Sequence, residues 1–387
     1  MNSSCLDLSR RLSASRTFAY ETLIAKTRDN IAGMVAQPTT WSWALDGDYA
    51  SWKEGFLEIG NWTSSFITGM ALIAWKETGD EHFLRHVLEL EPLYQAKLAE
   101  HAGETMHDLG FLYSLYSVAL FKLTGDARHR ELALRAAEVL AARFIPEGNY
   151  IRAWGRMDEK GTDWDAMAII DCMMNLPLLY WASEETGDPR FRDIAVRHAD
   201  TTLANFIRHD DSVFHAYRFD PLTGAPSRGE NYCGYGVDSH WARGTAWAIY
   251  GFAMSYRYTG EKRFLDASLR VTRKFLSLLD EEVVPEWDFR LPDDPALHIR
   301  DSSAAAIAAC GLQELEALGH ADDTLRKAKD AFLDRLCSSD YLDADPAVRG
   351  VLKHGQVGNP VKAYTSWGDY YLMEALAREN GLSITWW

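Results

Sequence analysis

Asp171 is a carboxylate set among Ile169, Ile170, Cys172, Met173 and Met174. In an apolar setting a carboxylate is costly unless paired, and desolvation raises its pKa. A carboxyl group that keeps its proton near neutral pH is a candidate general acid. The plainer reading is a buried Asp that caps a loop or pairs with a basic residue. Pro177 has no amide hydrogen to give the Met173 carbonyl, so a kink is expected just after Asp171. Asp108, in MHDLGFLYSLY, opens an apolar run, where an Asp is commonly an N-cap. Its chemical interest comes from occupying the position that Asp171 occupies one repeat later. Asp301 precedes Ser302, Ser303 and a run of alanines and reads as an N-cap, while Asp163 and Asp165 read as helix-start acids.

Arg243 lies in DSHWARGTAWAIYGF between Trp241 and Trp247. A guanidinium fork beside aromatic rings suits a carboxylate or sulfate, and a structural ion pair with one of the nearby acids is the alternative. The chain holds 14 Trp, many at loop or helix-start positions, including Trp41, Trp43, Trp52, Trp62, Trp154, Trp164, Trp241, Trp287 and Trp367. Flat aromatic faces stack on sugar rings, although most Trp side chains are core. His82 and His86 are spaced four apart without an obvious third ligand, so no metal or other cofactor is expected.

What must position these groups is a repeat. Gly79, Gly125, Gly187, Gly260, Gly319 and Gly381 each end a helix-like stretch, and the first four sit between a Thr and an acid. Gly is the usual left-handed residue at a helix end, and the acid after it can start the next helix. Trp62, Asp108, Asp171, Arg243 and Asp301 lie sixteen to eighteen residues upstream of the first five glycines. A helix of that length is about 24 Å long, so these residues should share the opposite end of a helical array. Segments before each Gly are apolar nearly all round, and those after it are amphipathic, which predicts inner helices ringed by outer ones. Six such pairs would close into an all-α, α/α barrel; an open solenoid is the structural alternative. The stretch RFDPLTGAP, between Phe214 and Asp238, predicts a small hairpin among the loops at one end.

No linker or composition break divides the 387 residues, so one catalytic domain over 1–387 is expected, with residues 1–20 as a loosely ordered extension. A net charge of −16 argues against nucleic acid, but a few local donors still allow a small anionic substrate. Five cysteines without CxxC spacing, Cys5, Cys172, Cys233, Cys310 and Cys337, suggest reduced thiols in a cytoplasmic protein. The N-terminus lacks the apolar core of a signal peptide, and the apolar stretch near Ala166–Ala182 is broken by Asp171, Asn175 and Pro177, so no membrane partner is expected.

With these motifs on the page, the chain resembles the unsaturated glucuronyl hydrolases of glycoside hydrolase family 88. HDLGFLYSL, IRAWG, DCMMNLPLLYWA, WARGTAWAIYGF and SWGDYYLMEAL occur in the right order across most of its length. The resemblance implies a six-hairpin α/α barrel, catalytic aspartates at Asp108 and Asp171, and substrate contacts at Trp62, Trp154, His215, Trp241, Arg243 and Trp247. Two departures stand near the site: Cys233-Gly234-Tyr235 where the family commonly has Gln-Gly-Tyr, and Thr245 where it commonly has Gln. The implied substrate is an unsaturated uronyl di- or oligosaccharide left by a polysaccharide lyase. In the implied reaction Asp171 protonates C4 of the 4,5-unsaturated ring and water adds at C5, with Asp108 holding the ring or supporting Asp171's protonation by like-charge coupling. Three other readings remain open at this point. A hydrolase of unsaturated galacturonyl-rhamnose would need one essential Asp, a sugar epimerase would use His107, His215 or His240 as bases, and a carbohydrate-binding protein would not need Asp171.

Overall fold

Helix junctions set the architecture, and they repeat one piece of chemistry. Thr78, Thr124, Thr186 and Thr259 each donate their hydroxyl to the carbonyl four residues back and accept the amide of the acid two residues on. Between them Gly79, Gly125, Gly187 and Gly260 hold φ of 68°, 73°, 73° and 71°, the left-handed turn that stops one helix and aims the next. Asp80, Asp126 and Asp188 then cap the following helix by accepting an amide two residues ahead. Glu261, one methylene longer, makes no such bond.

The computed structural model describes residues 12–358 and 360–387. Outer helices are α1 (Ala14–Ala36), α3 (Glu81–Glu89) with its continuation α4 (Glu91–Ala99), α7 (Ala127–Ala141), α9 (Pro189–Asn205), α11 (Lys262–Ser277) and α13 (Asp323–Leu336). Inner helices are α2 (Ser64–Thr78), α5 (Leu109–Tyr113) running through a π turn into α6 (Ala119–Thr124), α8 (Leu176–Thr186), α10 (Ala242–Thr259), α12 (Ser302–Ala317) and α14 (Ser366–Glu379). Each inner helix packs on the next, and α14 returns to α2, so the ring is closed. The solenoid alternative falls away: this is the six-hairpin α/α barrel. Inner helices approach closely where they lack a side chain. A Cβ on Gly110 would sit 2.3 Å from the Asn175 Cα, and one on Gly251 would sit 2.9 Å from the Met173 carbonyl carbon.

One end of the barrel is filled. Glu374, fully buried, accepts from Tyr250 at 2.6 Å and from the Trp387 indole at 2.8 Å, and the Trp387 ring stacks on Tyr371. The opposite end carries the long connections and three small antiparallel sheets. β1 (Trp43–Ala44), β8 (Lys362–Thr365) and β7 (Gly355–Gln356) form the first; β2 (Phe144–Ile145) and β3 (Tyr150–Ile151) form the second. The third joins β4 (Met167–Ile169), β5 (Ala216–Phe219) and β6 (Pro226–Glu230), and β5–β6 is the hairpin expected at RFDPLTGAP.

Two expectations need correction. Residues 14–20 are not loose: Ser13 caps α1 by accepting the Arg16 amide, Arg16 pairs with Asp334 at 2.9 Å, and Ala19 and Tyr20 are buried. Asp171 does not sit in a kinked helix. Ile170–Met174 is a separate 3-10 turn, and Pro177 takes the first turn of α8, where its missing amide hydrogen costs nothing. Cys5 lies outside the described residues; Cys172, Cys233, Cys310 and Cys337 are unpaired thiols. No described helix is long and apolar enough to cross a membrane.

Candidate active site

Asp108 immediately precedes α5, Asp171 sits in the turn before α8, Arg243 lies in the first turn of α10, Asp301 caps α12, and Trp62 lies just before α2. All five therefore share the N-terminal end of the inner ring. Strand β4 delivers Asp171, and the Ile170 amide donates to the His215 carbonyl at 2.9 Å, which sets β4 and the entrance of β5 side by side. Asn175 joins the two aspartate-bearing elements: its Oδ1 accepts the Phe111 amide at 2.8 Å, and its Nδ2 donates to the Asp171 carbonyl at 3.2 Å.

Both carboxyls resist ionisation. Burial, followed by the charge of Asp171, pushes Asp108 up to about 8, against the opposing influence of Arg143 and Lys97. Burial raises Asp171 to about 6, with Arg243 and the neighbouring Trp247 indole acting against it. Burial is the larger cause for both, and the like-charge coupling that raises Asp108 acts equally on its partner, since the two titrate as a pair. Asp108 also fails as an ordinary N-cap, because its side chain accepts no helix amide; its near neighbour is His107 Nε2 at 3.4 Å.

His215 has one assignable tautomer. Its Nδ1 accepts the amides of Tyr232 at 3.1 Å and Cys233 at 3.3 Å, so the ring proton resides on Nε2, which lies 3.7 Å from Asp171 Oδ2. Burial and Arg243 lower its pKa to about 3, and burial lowers His240 to about 3 and His107 well below the usual range. All three are neutral and poorly basic, which removes the chemical basis of the epimerase reading. Cys233 is half-buried near Asp171 and Arg243, its thiol pushed by burial to about 12. Thr245 donates to the Trp241 carbonyl at 2.9 Å, within its own helix.

Arg243 is both an ion-pair partner and a site donor. Its Nη1 donates to Asp301 Oδ2 at 2.8 Å and to the Gln356 carbonyl at 2.7 Å, while Nε and Nη2 have no acceptor among the described residues. Asp301 is the N-cap expected, accepting the Ser303 amide at 3.1 Å, and anchors Arg243 with its other oxygen. The sequence alone did not reveal Gln356, Asn175 or the full use of Trp367. From Trp62 the rings continue to Trp367 (4.9 Å between centroids), Trp367 to Arg243 (5.3 Å), Arg243 to Trp241 (4.6 Å), Trp241 to His215 (4.7 Å) and His215 to Trp154 (6.1 Å). Five of the six expected contact residues, Trp62, Trp154, His215, Trp241 and Arg243, lie along this series, and Trp247 joins it at Asp171.

Their parts differ, however. Trp241 and Trp247 are buried, so the stacking face considered for Trp241 is covered; Trp62 and Trp154 are half-buried. What Trp241 and Trp247 offer is a donor. While the Trp247 indole is directed to Asp171, the indole nitrogens of Trp241 and Trp367 and Asp171 Oδ2 are buried with no hydrogen-bond partner among the described residues. Such groups cost free energy until an oxygen-rich ligand meets them. Elsewhere, His82 and His86 each engage a backbone carbonyl on the outer surface, and Asp165 pairs with Arg152 at 2.9 Å rather than starting a helix.

Comparison with known proteins gives a consistent picture. A model of Glycosyl Hydrolase Family 88 matches residues 32–375. The chain is 38% identical to an unsaturated glucuronyl hydrolase of Bacillus sp. (strain GL1), over 84% of this chain and 88% of that one. It is 37% identical to an unsaturated chondroitin disaccharide hydrolase of Streptococcus pyogenes serotype M1, over 86% of this chain and 83% of that one. The crystal structure of an unsaturated glucuronyl hydrolase from Streptococcus agalactiae superimposes with a TM-score of 0.85 at 30% identity, covering 98% of this chain and 95% of that one.

Proposed function

From the chain's membership of glycosyl hydrolase family 88, as an enzyme that hydrolyses unsaturated uronic acid from oligosaccharides, we propose that Asp171 is its general acid and base and that Asp108 is its neutral partner. The observation that carries this reading is Asp171 itself: a carboxyl raised to about 6, with one oxygen unpartnered and a neutral His215 N–H beside it.

The substrate is a non-reducing-end 4,5-unsaturated uronyl unit on a lyase-generated oligosaccharide. Its C4–C5 bond is an enol ether. Asp171 gives its proton to C4, and positive charge develops at C5 and the ring oxygen. The resulting carboxylate takes a proton from water as the water oxygen bonds to C5, which restores the acid. The C5 hemiketal opens to a ketone, the former ring oxygen becomes a hydroxyl on C1, and the C1 hemiacetal releases the shortened sugar. Arg243 holds the uronate carboxylate through its free Nε and Nη2 edge, the indole donor of Trp241 meets a ring oxygen, and Trp62 and Trp154 offer faces to the sugar. Asp108, protonated near neutral pH, contributes a hydrogen bond rather than a charge. A cytoplasmic setting belongs to the same reading, supported by the unpaired cysteines.

The test uses unsaturated disaccharides and follows the ultraviolet band of the double bond. The parent enzyme should bleach it, and Asp171→Asn should lower kcat by about 10³-fold or more with KM changed little. A kcat within tenfold of the parent would remove Asp171 from the chemistry.

A further inference from the structure

Arg243 is aimed by a stretch of chain that has no chemistry of its own. Its Nη1 donates to Asp301 Oδ2 and to the Gln356 carbonyl, and the two acceptors together fix the plane of the guanidinium. With one of them gone, the fork would pivot about a single hydrogen bond and its Nε and Nη2 edge would turn away from the site. The second acceptor belongs to the main chain. The Gln356 carbonyl oxygen lies 2.7 Å from Nη1, whereas the side-chain oxygen of the same residue stands at 3.4 Å. Placement of that carbonyl is therefore a property of segment 350–356 and of the groups that grip it.

Part of the grip is main chain. The Asp343 amide donates to the Val351 carbonyl and the Lys353 amide to the Tyr341 carbonyl, both at 2.8 Å, and the Lys26 ammonium donates to the Gly350 carbonyl at 2.8 Å. The two amides in between go to one carboxylate. Asp369, 1% exposed in the first turn of α14, accepts the Leu352 amide at 2.7 Å, the Val351 amide at 3.1 Å and the Tyr49 hydroxyl at 2.8 Å. Three donors converging on one buried point call for a group that only accepts, which a carboxylate is and an amide is not. Past this clamp His354 turns through φ 65°, left-handed for a residue with a Cβ, and its carbonyl accepts the Ser302 amide at 3.0 Å. Backbone strained in this way persists only where its surroundings over-determine it. Two residues on, the Gln356 amide meets Asp301 Oδ1 at 3.3 Å and the Gln356 carbonyl faces Arg243.

We infer that Asp369 is a positioning residue for substrate binding: it fixes the segment whose Gln356 carbonyl aims Arg243, and so sets affinity for the uronate without touching it. This rests on the reading of Arg243 given above. Asp369→Asn puts an N–H where an acceptor is needed. It should raise KM for an unsaturated disaccharide about tenfold, with kcat within about threefold of the parent. An Asp369 that only stabilises the fold would lower the folded fraction and leave KM unchanged. A double-mutant cycle shows whether the effect passes through Arg243. Arg243→Lys alone should raise KM, and adding Asp369→Asn to it should raise KM little further. Full additivity of the two, or an unchanged KM in Asp369→Asn, would overturn the positioning role. Should Asp369→Asn fail to fold, Ser302→Pro removes the amide hydrogen that holds His354, at the first position of α12, where proline is tolerated. It should raise KM in the same way, and an unchanged KM there would show that the segment does not aim Arg243. An Arg243→Lys enzyme with the parent KM, or a parent inactive on every unsaturated substrate, would instead sink the underlying reading, so the two failures are told apart.

Discussion

Ionising Asp108 puts a second negative charge near Asp171 among buried groups, so each carboxyl leaves its own mark on pH behaviour. In the proposed mechanism Asp171 acts in its protonated form, so kcat/KM should fall as pH rises through about 6, a limb that a pH–rate profile measures directly. Asp108 bears on stability. Its folded pKa, about 8, lies above the unfolded value of about 3.9, so the stabilisation it gives is complete below the unfolded value and is lost as pH rises through about 8. Asp108→Asn should therefore melt several degrees above the parent at pH 9 and close to it near pH 3.5, a contrast that calorimetry resolves. Asp171 could be read from the sequence because a carboxylate among Ile and Met contradicts its surroundings. Gln356 could not: it reaches Arg243 across 113 positions, and nothing local marks it.

Elements hold the two carboxyls at their working separation. Gly110 lets α5 press against the Asn175 backbone, and Asn175 in turn ties the Phe111 amide to the Asp171 carbonyl. Backbone atoms have no rotamer with which to yield, so Gly110→Ala should cost about 1–3 kcal/mol in denaturant unfolding. It should also lower kcat on the disaccharide more than a surface variant of equal stability loss. The inner and outer helices were legible because Thr-Gly-acid punctuation and the all-round apolar stretches are local signals. Trp367 was harder to place. It stands fourteen residues before Gly381 rather than sixteen to eighteen, because α14 is a shorter helix than α10 or α12. The break at Pro177 was correctly located but read as a kink, since Pro at the first turn of a new helix and Pro inside a bent one look alike in sequence.

At the scale of the molecule, the ring is only as whole as its seam, where α14 meets α1 and α2. Removing residues 354–387 deletes β7, β8 and α14 and leaves one flank of every remaining inner neighbour exposed. Such a chain should keep much of its helical circular dichroism yet lose its cooperative melt and near-ultraviolet signal. Six repeats and their order were readable from periodicity, whereas closure was expected with an open solenoid still beside it, because it depends on helices more than 280 positions apart meeting. Trp62 and Trp367 stand on opposite sides of that seam, 4.9 Å apart, and both line the candidate site. A ribosome reads Trp367 305 residues after Trp62. Until the segment with Trp367 has emerged, the growing chain therefore holds one side of that site, and the two sides meet only when the later one arrives.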